Sequence, residues 1–181
     1  MKKNAIRTVE SHVVRLVFSA LFLAIGMVLP FLTGQIPQIG AMLCPLHIPV
    51  LLCGFVCGAP WGLAVGIILP LLRSAVFGMP PLMPIALAMA FELGAYGVAA
   101  GLLHTHLPRK VPYLYASLVG AMLVGRVVWG IASMILYACM GNAFSWQLFA
   151  AGAFVNALPG IALQLILIPP LVLVLQRIKR S

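Results

Sequence analysis

The sequence predicts an all-α integral membrane protein with six transmembrane helices, and three observations carry that prediction. Of its 181 residues, 64% are apolar and 7% are charged, with a mean hydropathy of +1.16. A soluble domain of that composition lacks the polar surface to cover its core. Apolar runs recur along the whole chain, at lengths near the roughly 20 residues needed to cross a bilayer core of about 30 Å. Finally, the basic residues are confined to alternate connections between those runs, as the positive-inside rule demands of cytoplasmic segments.

The first run, 16–32, follows Lys2, Lys3, Arg7 and Arg15, which place the N-terminus in the cytoplasm. Lysines ahead of an apolar run also mark secretory signals, but this run is long and no small-x-small cleavage site follows it. It reads as the first span. The second and third runs, 42–58 and 60–77, are separated by Ala59-Pro60. Pro60 suits the first turn of the third helix, and a tight cytoplasmic turn joins the pair. Gly54, Gly58, Gly62 and Gly66 recur every four residues across these two runs, a spacing that lets helix backbones approach closely.

The fourth run, 83–103, opens after Gly78-Met79-Pro80-Pro81 and is followed by Arg109 and Lys110, a second cytoplasmic cluster. The fifth run covers 112–139 and the sixth 148–175, after which Arg177, Lys179 and Arg180 put the C-terminus in the cytoplasm as well. The connections TGQIPQIG, GMPP and GNAFSW hold neither Lys nor Arg and face outside. No hydrophilic linker, low-complexity stretch or repeat divides the chain, so residues 1–181 read as one domain.

A formal charge of +9 would suggest nucleic acid in a soluble protein. Here the charges sit at the chain ends and in one loop, where they set topology and meet lipid headgroups, and no nucleic-acid partner is expected. Cys44, Cys53, Cys57 and Cys139 lack metal-ligand spacing and read as small apolar fillers, so no metal and no cofactor is expected. His104 and His106, beside the basic loop, read as interfacial.

Pro30, Pro37, Pro45, Pro49, Pro70, Pro80, Pro81 and Pro84 cluster toward the outer half. Irregular backbone at membrane depth is tolerated where it is buried in protein or lines a wet cavity, which points to an outward-opening pocket. Helix kinks in the packing explain the same prolines, and both readings stand at this point.

Three ionisable side chains remain inside the spans: Arg73, Glu92 and Arg126. A charge at the bilayer centre costs at least about 2.5–3.5 kcal/mol, so each needs a partner or water. Glu92 can pair with Arg126 or with Arg73, as a purely structural tie between helices. Either choice leaves one guanidinium over, and that fork suits a carboxylate or phosphate. Candidate lining residues share faces with these charges: Trp129, Ser133 and Tyr137 follow Arg126 at helical spacing, Tyr96 follows Glu92 by four, and Asn156, Gly160 and Gln164 form a stripe on the sixth run. Such a seam also serves interhelical hydrogen bonding, Gln164 above all. His47, between Pro45 and Pro49, is a pocket wall at most.

The chain contains no Asp, no Gly-x-Ser-x-Gly and no His-Glu-x-x-His, so it is not expected to be an enzyme. Self-sufficient secondary transporters show paired halves and several coupling carboxylates, whereas these spans hold one carboxylate. A binding subunit energised by a partner fits better.

Several stretches then resemble a known family: SALFLA, HIPVLLCGFVCGAPWGLAVGIILPLLRS, GMPPLMPIALAMAFELGAYG, GRVVWG and NALPGIALQLILIPP. Together, across nearly the whole chain, they resemble the S component of an energy-coupling factor (ECF) vitamin transporter, closest to the pantothenate-type group. The resemblance implies a six-helix subunit of the plasma membrane that binds a vitamin; joined to the residues read above, it makes the expected ligand an anionic one and the expected site Arg73, Glu92, Tyr96, Arg126, Trp129, Asn156 and His47. It also implies partners: the transmembrane scaffold subunit EcfT, met by Ala20-x-x-x-Ala24, and two cytoplasmic ATPases that hydrolyse ATP. The alternative is a non-transport membrane assembly protein whose buried charges only fix packing.

Overall fold

The computed structural model describes residues 2–33, 42–108, 110–142, 145, 147 and 157–178, with side chains described over 12–32, 42–108, 110–142, 145, 147 and 157–176. The described residues form six α-helices: α1 (Lys2–Val28), α2 (His47–Cys57), α3 (Ala59–Phe77), α4 (Leu87–His106), α5 (Val111–Cys139) and α6 (Leu158–Ile178). A 3-10 turn, Leu29–Thr33, ends α1, and a π turn, Leu82–Ala86, leads into α4.

Among the described residues, five helical stretches are long and apolar enough to cross a membrane: His12–Leu32, Ala59–Phe77, Leu82–His106, Val111–Cys139 and Leu158–Gln176. The second expected span differs. Residues 42–58 yield only the eleven-residue helix α2, about 17 Å at 1.5 Å per residue. Its start is set back because Cys44 adopts a left-handed φ of 48° immediately before Pro45. All eleven residues of α2 are buried, so this helix forms the centre of the bundle rather than an outer column. The sixth expected span began at 148, and its residues 148–156 lie outside the described residues.

Close backbone contact holds the centre together. A Cβ placed on Gly62 would lie 2.7 Å from the carbonyl oxygen of Gly97, and one on Gly54 would lie 2.6 Å from that same oxygen. The four-residue glycine spacing therefore seats α2 and α3 together against α4, where dispersion contacts replace the missing side chains. Between α2 and α3, Gly58 turns the chain with φ 99°, a conformation that side-chain-bearing residues avoid. Around this centre the apolar core includes Phe22, Val50, Leu51, Leu69, Leu93, Leu118, Ile168 and Val172, all buried.

The contacts fix which helix ends meet. Phe55 stacks edge-on against His104 at 5.4 Å between centroids, and Gln176 Nε2 lies 2.8 Å from His104 Nε2. The α2–α3 turn, the end of α4 and the end of α6 thus share one end of the bundle. Ser19 Oγ lies 3.5 Å from Cys53 Sγ, so the basic start of α1 runs toward that end too. At the opposite end, the Phe31 and Phe77 rings meet edge-on at 5.0 Å, and Gly160 packs on the backbone of Met42 and Leu43.

Candidate substrate site

Glu92 lies in the second turn of α4 and is 2% exposed. Its Oε1 accepts a hydrogen bond from Arg126 Nη1 of α5 at 2.9 Å and lies 3.3 Å from His47 Nε2 of α2. A carboxylate oxygen accepts, so at this contact His47 Nε2 is the donor. Arg126 Nη2 reaches toward Cys44 Sγ at 3.7 Å. Three elements converge on one carboxylate, and α4 supplies it because its glycine face brings α2 close.

Tyr96, one turn after Glu92 and 1% exposed, stacks edge-on against His47 at 5.0 Å. A Cβ on Gly125 would lie 2.7 Å from the Tyr96 ring, so the glycine next to Arg126 is what admits that ring. The polar atoms around the carboxylate are not all used. Arg126 Nε and His47 Nδ1 are buried without a hydrogen-bond partner, as is Gln164 Nε2 on α6. Buried donors and acceptors in that state are costly. Gln164 follows Gly160 by one turn on α6, which carries it down from the Met42–Leu43 contact into the bundle.

Arg73 belongs elsewhere. It is 3% exposed; Nη1 donates to the Met27 carbonyl at 2.5 Å, and its guanidinium lies 5.6 Å from the Phe31 ring centre and 5.1 Å from that of Phe77. The two alternatives for Glu92 are thereby resolved in favour of Arg126. Arg73 is the guanidinium left over, lodged between the end of α1 and α3 with partial charges from a carbonyl and two ring faces.

Trp129 is half-buried one turn beyond Arg126, and Ser133, a further turn along, is buried. Asn156 lies outside the described residues. His47 exceeds the part of pocket wall expected of it, since it touches the carboxylate directly. Cys44 and Gly125 were not foreseen as site residues. Nothing in sequence spacing ties residue 44 to residue 126, although the pair Gly125-Arg126 was a small residue set beside a buried charge.

On the outside of α1, Ala20 and Ala24 are both exposed. Ala24 lines an open apolar hollow of ≈ 320 Å³ with Ile25, Val28, Leu29 and Leu32. No curated protein and no solved structure matches the chain. Residues 14–172, which take in every site residue and both alanines, match the family described as ECF transporter, substrate-specific component. A helical bundle with several helices long and apolar enough to cross a membrane agrees with that match, and the chain belongs to this family of multi-pass, substrate-binding, non-enzymatic transport subunits.

Proposed function

We propose that this subunit captures a vitamin or vitamin precursor at the plasma membrane, from outside, and that the ligand is pantothenate. The Glu92–Arg126–His47 cluster carries the reading, because Arg126 Nε and His47 Nδ1 are buried polar atoms without a hydrogen-bond partner beside an ion pair. Pantothenate offers a carboxylate, an amide and hydroxyls to match. Tyr96 and Trp129 complete the lining, and the sequence stripe alone adds Asn156 to the proposed set. Glu92 has two duties in this scheme: it holds Arg126 in place and orients the His47 ring.

Release would follow docking of Ala20 and Ala24 on the scaffold subunit EcfT, with ATP hydrolysed by two cytoplasmic ATPases. The N- and C-termini are cytoplasmic in this reading, and six spans are counted by taking α2 with the residues before it as the second. The competing reading is an assembly protein whose buried charges only fix packing.

A thermal-shift screen of the detergent-solubilised protein against vitamins tests the proposal. Pantothenate at 100 times its Kd should add about 2.7 kcal/mol of apparent stability. A screen in which pantothenate leaves the melting curve in place while another vitamin moves it would reject the ligand, and one in which no vitamin moves it would reject vitamin capture.

A further inference from the structure

Cys44, just ahead of α2, touches two members of the Glu92–Arg126–His47 cluster. Its Sγ accepts from Arg126 Nη2 at 3.7 Å, and its carbonyl accepts from the backbone N–H of His47 at 3.1 Å. The side chain is buried. The same guanidinium donates Nη1 to Glu92. Sulfur and carboxylate thus hold one Nη group each, and Arg126 Nε, buried and without a hydrogen-bond partner, is the nitrogen left over.

Among the described residues, Cys44 is the one non-glycine residue with a positive φ, 48°, a left-handed conformation that L-residues adopt at a cost. Such a conformation persists where the surroundings impose it, and residues of this kind gather at active sites and ligand clamps. Here Gly160 of α6 packs on the backbone of Met42 and Leu43, and the Cys44 carbonyl closes the turn from which α2 starts. That corner decides where His47, the first residue of α2, stands, and its Nε2 lies 3.3 Å from Glu92 Oε1. Glycine would make the same corner with the least strain. The chain instead carries a sulfur there, set against the arginine.

We infer that Cys44 is a positioning residue of the substrate site: its left-handed corner sets His47 on Glu92, and its sulfur holds the Arg126 guanidinium so that Nε is kept for the ligand. The inference rests on the reading of this cluster as the substrate site and of pantothenate as its ligand.

Calorimetric titration of the purified full-length subunit with pantothenate, beside thermal melts without ligand, tests this. Cys44→Gly and Cys44→Ala both remove the sulfur, but only glycine relieves the strained φ. The glycine variant should therefore melt higher than the alanine variant, while both bind pantothenate about tenfold more weakly than the wild type, the order of one hydrogen bond to a charged group. Cys44→Ser returns an acceptor to the corner and should recover most of the lost affinity. Wild-type affinity in the glycine variant overturns the inference, and so does a serine variant as weak as alanine; either result leaves pantothenate capture intact. Affinities that follow the melting temperatures across the three variants would make the sulfur a packing filler and overturn it too. A wild-type protein that does not bind pantothenate removes the ligand reading, and the role of Cys44 falls with it.

Discussion

At the scale of single residues, the decisive fact is that one carboxylate serves two helices besides its own. Breaking a buried ion pair by deleting one partner costs about 3–5 kcal/mol, because the survivor stays charged. Arg126→Leu, which strands Glu92 with only His47 at 3.3 Å, should therefore lower thermal stability by that order. Combining it with Glu92→Gln should recover a large part of the loss, since no naked charge remains. A double-mutant cycle on the detergent-solubilised protein measures the recovery, and strict additivity would deny the pair. The sequence left open which arginine Glu92 meets, because both candidates sit at similar depth by helical rise. Packing chose between them: α5 runs beside α4, and Arg73 turns to the end of α1.

The α3–α4 seam is where single elements show their limits. A Cβ on Gly97 would overlap the backbone of Gly62, with no flexible side chain to yield. Gly97→Ala should destabilise the protein by about 1–3 kcal/mol, the range for overpacking. Gly120→Ala makes the matched control, because its added Cβ meets only the far end of Leu103 at 3.0 Å. A melting temperature lowered equally by both would show that the seam is not specially tight. The four-residue glycine spacing announced this contact before any coordinates. The brevity of α2 was not announced: an apolar count cannot register that Cys44 turns left-handed, nor that eleven residues suffice when every one is covered by neighbouring helices.

Across the whole molecule, topology and assembly follow from which surfaces remain open. Cys44, Cys53 and Cys57 are buried, and Cys139, at the end of α5, is exposed, so the native chain carries its own reporter. If the proposed orientation holds, with Lys110 cytoplasmic, a membrane-impermeant maleimide added to intact cells should label Cys139. In a Lys110→Cys, Cys139→Ser variant the same reagent should label only after the cells are opened. The opposite result would invert the bundle. Ala24→Trp would fill the hollow beside Ile25 and Val28. It should abolish co-purification with the scaffold subunit and vitamin uptake, yet leave ligand affinity of the isolated subunit within about threefold, roughly 0.7 kcal/mol.

By itself, the sequence determined the membrane class, the run of apolar helices, the close glycine packing and the excess of buried positive charge, since each depends on local composition and period. Only the tertiary structure decided that Glu92 serves Arg126 and His47 together, that Arg73 stands apart, and that α2 lies enclosed. Those outcomes depend on which helix faces which neighbour, a property of long-range packing that spacing within any one helix does not contain.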